Sequence, residues 1–143
     1  MSKIRLSTDD IKHITLFESL TGAKVKDFLN EGHDMCFLVN TGEMGLAIGK
    51  KGSNVEKVRK ALSKNVLIFE YNADEEQFIK NLFTPVEVHG LSIAKTSGGT
   101  SAVVEISRED RNRAIGAGGN RIKAIKTLAK RHCDIEDLNL RAI

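Results

Sequence analysis

The chain has 143 residues, enough for one ordinary domain or two small ones of about 70 each. Its balance of 41% hydrophobic and 29% charged residues is that of a soluble globular protein, and no apolar run approaches the ~20 residues that span a bilayer. The net charge of +3 is mild, two cysteines and four scattered histidines make no metal-binding spacing, and the opening M-S-K-I-R-L-S-T-D-D has no signal-peptide core, so the expectation is a cytoplasmic protein without metal or cofactor.

Taken in chain order, Thr8 to Leu20 reads as a helix with Ile11, Ile14 and Phe17 on one face. Lys24–Asn30 and Met35–Val39 read as strands. A short helix ends at Ile48, a glycine loop follows, and a helix runs from about Asn54 to Ser63, with Ser53-x-x-Glu56 as a capping-box pattern at its start. Val66–Tyr71 has the β-branched and aromatic make-up of a buried strand. Asp74–Phe83 is helical and stops before Pro85. Val86–Ala94 is a strand whose alternation changes phase at Gly90, which predicts a bulge. A turn at Ser97–Gly99 leads to a strand at Ala102–Ile106. Ser107-x-x-Asp110 resembles a second capping box, opening a helix that ends at Ile115. Asn120 is placed to cap the next helix, which reaches about Arg131, and Leu138–Ile143 reads as a last strand.

The same order occurs twice, at an offset of 67 residues. Gly49 and Gly52 align with Gly116 and Gly119, and Ala47-Ile48 with Ala114-Ile115. Val55, Val58, Ala61 and Leu62 align with Ile122, Ile125, Leu128 and Ala129, one apolar face of a helix. The period is too long for a short solenoid repeat, so two tandem domains are expected, 1–72 and 73–143.

Charge follows the repeat. Gly45 to Lys64 carries +5 and Ser107 to His132 carries +6; together these outweigh the whole chain's +3 and leave −8 for the remainder. Positive charge focused on two glycine stretches suits a polyanion. I-G-K-K-G-S-N-V lacks the spacing of a nucleotide P-loop, since Gly45 lies too near Gly49 and Lys51 stands where Ser or Thr would hold Mg²⁺. I-G-A-G-G-N-R-I fails as a dinucleotide fingerprint, with Arg121 in place of the last glycine and a helix before the loop. Aromatic residues are too few, at 5%, for an RRM-type stacking surface, and no nucleophile–base pair or carboxylate cluster marks an enzyme.

A G-x-x-G between two helices, with an aliphatic residue just before it and another three residues after, resembles the loop of KH RNA-binding domains, and the element order resembles their type II, prokaryotic topology. Two such domains with almost no linker resemble the paired KH module of the NusA family of transcription factors and its short archaeal members. The resemblance covers nearly the whole chain. It implies an α+β fold of two three-stranded sheets, each packed against helices, and single-stranded RNA gripped by two loops, with the backbone of about four nucleotides at each. The residues implied are Ile48, Gly49, Lys50, Lys51, Gly52, Ser53, Val55 and Arg59 in the first unit. In the second they are Ile115, Gly116, Ala117, Gly118, Gly119, Asn120, Arg121, Ile122 and Lys123. Glycines would admit the sugar–phosphate backbone, lysines would meet phosphates, and bases would lie over an aliphatic floor of Ile48, Val55 and Val58 or of Ile115, Ile122 and Ile125. The second loop has no basic residue between its glycines and is expected to bind more weakly, with Arg113, Arg121 and Lys123 as its candidate substitutes.

The implied role is a non-enzymatic, monomeric factor in transcription elongation, termination or antitermination, with RNA polymerase as a candidate partner. Bacterial NusA carries further domains for which this chain has no room, so their functions do not transfer. The alternative is an adaptor in ribosome assembly or another ribonucleoprotein, with ribosomal components as partners, because KH domains occur there too. A module that mainly binds protein is a third class.

Overall fold

The computed structural model describes residues 6–143, which divide into two compact units, residues 6–73 and 74–143. The first five residues, which open the expected first domain and carry the leader argument, lie outside the described part.

The first unit begins with helix α1, Thr8–Thr21. A capping box opens it: the Ser7 hydroxyl accepts from the Asp10 N–H at 3.1 Å and the Asp10 carboxylate accepts from the Ser7 N–H at 3.1 Å. Gly22, left-handed at φ 79°, closes it. Strands β1 (Val25–Glu31) and β2 (Asp34–Val39) form an antiparallel hairpin with a bulge between Val25 and Asp27. The chain then crosses through α2 (Met44–Ile48), a 3₁₀ turn at Lys50–Gly52 and α3 (Ser53–Leu62). It returns as β3 (Asn65–Glu70), parallel to β2, so the sheet order is β1-β2-β3. A parallel third strand requires such a helical crossover, and here the crossover holds the glycine loop.

The unit's core joins Phe17 of α1, Phe28, Phe37 and Val39 of the hairpin, Ala47 of α2, Val55 and Val58 of α3 and Val66 of β3. Phe17 stacks on Phe37 at 4.2 Å between ring centroids, and Phe28 tilts against the same ring at 4.9 Å. Truncating Phe37 to alanine would cost about 3–5 kcal/mol by the usual scale for buried phenylalanine. Ile11, expected on the inner face of α1, is 53% exposed. The helix turns Ile14, Phe17 and Leu20 toward the core, buries Thr21 at its end and sets the His13 ring 5.5 Å from Phe28.

The second unit repeats this plan. Asp74 caps α4 (Glu75–Phe83) by accepting from the Gln77 N–H. Strands β4 (Val88–Thr96) and β5 (Gly99–Ile106) are antiparallel, with the register shift between Val88 and Gly90. A 3₁₀ turn at Arg108–Asp110, α5 (Arg111–Ile115), a 3₁₀ turn at Ala117–Gly119 and α6 (Asn120–Cys133) lead to β6 (Ile135–Ala142), parallel to β5. The last strand begins three residues before the expected Leu138, because Ile135 and Leu138 are both buried and the register carries Thr100 opposite Ile135.

Three expected caps are corrected. Ser53 and Asn120 sit inside their helices with helical dihedrals, and the N-cap positions belong to Gly52 and Gly119 in the left-handed region. Ser107 precedes a 3₁₀ turn but makes no side-chain cap; only its carbonyl accepts, from the Asp110 N–H. A side-chain cap needs an extended residue at the N-cap, and both loops place a left-handed glycine there. Among the described residues, no helix is long and apolar enough to cross a membrane and no group of three His, Cys, Asp or Glu side chains gathers where a metal ion could sit.

Candidate nucleic-acid interface

The two glycine loops have one backbone conformation. Gly49 lies at φ 76°, ψ 172° and Gly116 at φ 79°, ψ 171°. Lys51 (φ 56°, ψ 28°) matches Gly118 (φ 63°, ψ 14°), and Gly52 (φ 77°, ψ 15°) matches Gly119 (φ 78°, ψ 10°). The hydrogen bonds match too: the Gly49 N–H donates to Gly45 O at 2.9 Å and the Gly52 N–H to Gly49 O at 3.1 Å. Gly116 donates to Asn112 O at 2.9 Å and Gly119 to Gly116 O at 3.1 Å.

Gly49 and Gly116 are required twice over. Their dihedrals fall in a region open essentially to glycine alone. A Cβ at Gly49 would lie 2.8 Å from the Asn54 nitrogen, and one at Gly116 would lie 2.6 Å from Arg121 Cβ. The chain therefore folds tightly onto the start of the next helix, which has no side-chain cap in either unit. An uncapped helix start with its dipole and free N–H groups favours an anion.

Side chains separate the two loops. Lys50 and Lys51 are exposed, and among the described residues neither forms an ion pair. Ser53 is exposed beside them. The second loop offers Ala117 and Gly118 at the same positions, so no side chain between its glycines is polar; Asn120, half-buried, and Lys123, exposed, follow it.

The arginines expected at phosphates face elsewhere. Arg59 reaches Glu56 at 3.2 Å and donates to the Val66 carbonyl at 3.4 Å, tying α3 to β3. Arg121 donates from Nη2 to the Thr84 carbonyl at 2.7 Å, tying the second loop's helix to the end of α4. Arg113 lies 3.6 Å from Asp110 on the surface. Asn54, the counterpart of Arg121, donates to the Leu46 carbonyl at 2.8 Å and staples α3 to α2.

The aliphatic floor also changes. Val58 and Ile125 are fully buried, and Val55, at 9% exposure, belongs to the core. Ile115 and Ile122 are half-buried. The apolar surface that stays open beside the first loop is Ile48, at 41%, together with Leu46, at 49%. Leu46 escaped the sequence reading, although the run Leu46-Ala47-Ile48 on a helix of five residues held the signal. Consecutive residues point about 100° apart, only Ala47 faces in, and its neighbours must face out.

A hairpin, two helices joined by G-x-x-G and a parallel third strand, twice over, define a protein of tandem KH domains of type II. Residues 12–74 match the KH domain family. Over 138 residues the chain is 40% identical to a probable transcription termination protein NusA of Halococcus morrhuae, covering 96% of this chain and 99% of that one. A protein of the same description from Methanococcus vannielii is 34% identical over 98% of this chain and 81% of its own. The crystal structure of APE1850 superposes with a TM-score of 0.77 at 30% identity, covering 95% of this chain and all of that one. The chain belongs to the archaeal NusA-like family of KH-domain proteins.

Proposed function

We propose that this protein binds single-stranded RNA, with the loop Gly49–Gly52 as its principal clamp, and acts as a transcription termination factor of the NusA type. The observation that carries the reading is the pairing of a glycine-only backbone with two exposed lysines, free of ion pairs among the described residues, at an uncapped helix start. Absent side chains at Gly49 and Gly52 let the sugar–phosphate backbone reach the main chain. Lys50 and Lys51 neutralise phosphates without regard to sequence. Leu46 and Ile48 supply apolar surface for an adjacent base, and sequence is read at its Watson–Crick edge. The reaction class is recognition rather than catalysis.

The second loop has the same shape without the charge, so it binds RNA more weakly, through main-chain N–H groups and Lys123. The transcription role is supported by relatives described as probable termination proteins across nearly the full length of the chain. RNA polymerase is the corresponding protein partner; a tagged protein should retain polymerase from an archaeal lysate after RNase treatment, whereas retention of ribosomal particles would move the role to ribosome assembly.

Fluorescence anisotropy with short single-stranded RNA, duplex RNA and matched DNA over a salt series tests the binding. Single-stranded RNA should bind best, weaken with salt and be lost by Lys50→Asp/Lys51→Asp at unchanged circular dichroism. A folded wild type that binds no nucleic acid at low salt would refute the reading.

A further inference from the structure

The loop lysines continue onto α3. Lys57 and Lys60 lie on the side of α3 opposite Val55, Val58 and Leu62, and Lys64 follows just past the left-handed Ser63 that ends the helix. All three are exposed, and among the described residues none forms an ion pair. The one acid of the helix, Glu56, lies 3.2 Å from Arg59, which leaves the three lysines as the net charge of this face.

The second copy does without this stripe. The counterparts of Lys50, Lys51, Lys57, Lys60 and Lys64 are Ala117, Gly118, Ala124, Thr127 and Arg131. Ala124 is buried and Thr127 half-buried, and α4 packs against α6. The lysines of α6, Lys123, Lys126 and Lys130, stand on the neighbouring face, and Lys130 is tied to Glu136 at 3.5 Å. The same helix surface is thus basic and open in one copy, whereas in the other it is buried at Ala124, half-buried at Thr127 and keeps one positive charge, at Arg131.

We infer that the outward face of α3 is a second phosphate track, along which the RNA strand held by the first loop continues past the clamp. The inference rests on the RNA-binding reading above and extends it. A protein partner fits this face poorly. Interface cores are depleted in lysine and built on apolar anchors, and α3 has no exposed large hydrophobic residue. The ten residues of α3 span about 15 Å, matching four to five phosphates of a stacked strand at about 3.4 Å each. With about four nucleotides in the clamp, the first unit's footprint becomes about eight or nine.

The test uses the full chain, anisotropy with single-stranded RNAs of four to twelve nucleotides, and a salt series. Affinity of the wild type should keep rising from four to about nine nucleotides. In Lys57→Gln/Lys60→Gln/Lys64→Gln that rise should be lost and the log–log salt slope should flatten by about 2, three contacts at about 0.7 each. Glutamine has nearly the helix propensity of lysine, so the fold should hold; Lys60→Gln alone, flattening the slope by about 0.7, gives the same answer if the triple variant does not fold. A slope and length dependence equal to those of the wild type would overturn the track and leave the clamp standing. RNA binding undiminished in Gly52→Asp would instead overturn the clamp, and the track with it.

Discussion

Replacing Lys51 with glycine should make the protein more stable and a poorer RNA binder. Lys51 holds φ 56°, ψ 28°, and the equivalent residue of the second loop is Gly118 at φ 63°, ψ 14°. The left-handed conformation costs an L-residue about 1–2 kcal/mol. Glycine removes that cost but adds about 0.5–1 kcal/mol of chain entropy to be lost on folding. At the middle of both ranges the balance is a gain of about 0.75 kcal/mol. With a urea m-value of about 1 kcal/mol/M for a unit of this size, the midpoint should rise by about 0.75 M. Lys50 provides the control. Its φ is not positive, so Lys50→Gly should lose stability while removing the same charge. Either substitution should flatten the salt slope of RNA binding by about 0.7. A midpoint for Lys51→Gly equal to or below that of the wild type would refute the argument, for it would mean that the lysine side chain makes a native contact worth more than the strain.

Gly49→Ala and Gly116→Ala should each destabilise by at least about 2 kcal/mol on urea unfolding, since strain and a close Cβ approach act together; Gly45→Ala, with open space around it, should be neutral or slightly stabilising. Gly52→Asp should lower RNA affinity far more than Gly119→Asp, and Ala117→Lys/Gly118→Lys should narrow that difference in the same anisotropy assay, because the two loops share a backbone and differ in charge. Burial first, and the carboxylates of Glu75 and Asp134 second, push the Cys133 thiol up to about 11 from 9.0. Iodoacetamide at pH 8 should therefore alkylate it about 100-fold more slowly in the folded protein than in the unfolded chain. Because the unfolded thiol ionises first, its contribution to stability is complete below about pH 9 and is lost as the pH rises toward 11, which pH-dependent unfolding of Cys133→Ala against the wild type should reveal.

The sequence made the order of elements legible because two copies constrained each other. The offset of 67 residues superposes the two glycine loops and the apolar faces of the helices that follow them. What it hid was direction. A basic residue beside a glycine loop suggests a phosphate, yet Arg59 turns to the Val66 carbonyl on the next strand and Arg121 to the Thr84 carbonyl, 37 residues away. Ser53 and Asn120 have the right chemistry for caps and the wrong dihedrals, because the preceding glycines take the cap position. The true capping box is Ser7 with Asp10, one residue ahead of the apolar periodicity that marks the helix from Thr8. Apolar periodicity marked Val55, Val58, Ile122 and Ile125 as a group, but only packing decides which of them face a ligand. Most do not.

The two copies differ in side-chain chemistry on a common backbone. In the second, glycine fills the left-handed position, so that strain is absent, and Arg121 braces the helix start against the end of α4. On its last helix the counterparts of Lys57 and Lys60 are Ala124, which is buried, and Thr127, which is half-buried. In the first, the same left-handed position holds a lysine at a cost, the brace is a short asparagine confined to its own crossover, and the helix surface is left to lysines. A lysine is an unfavourable choice for that dihedral, and the lysines at 50, 51, 57, 60 and 64 repel one another. In the second copy four of these five positions lose their charge and the fifth keeps it as Arg131, so each unit carries its positive charge on a different part of the shared backbone.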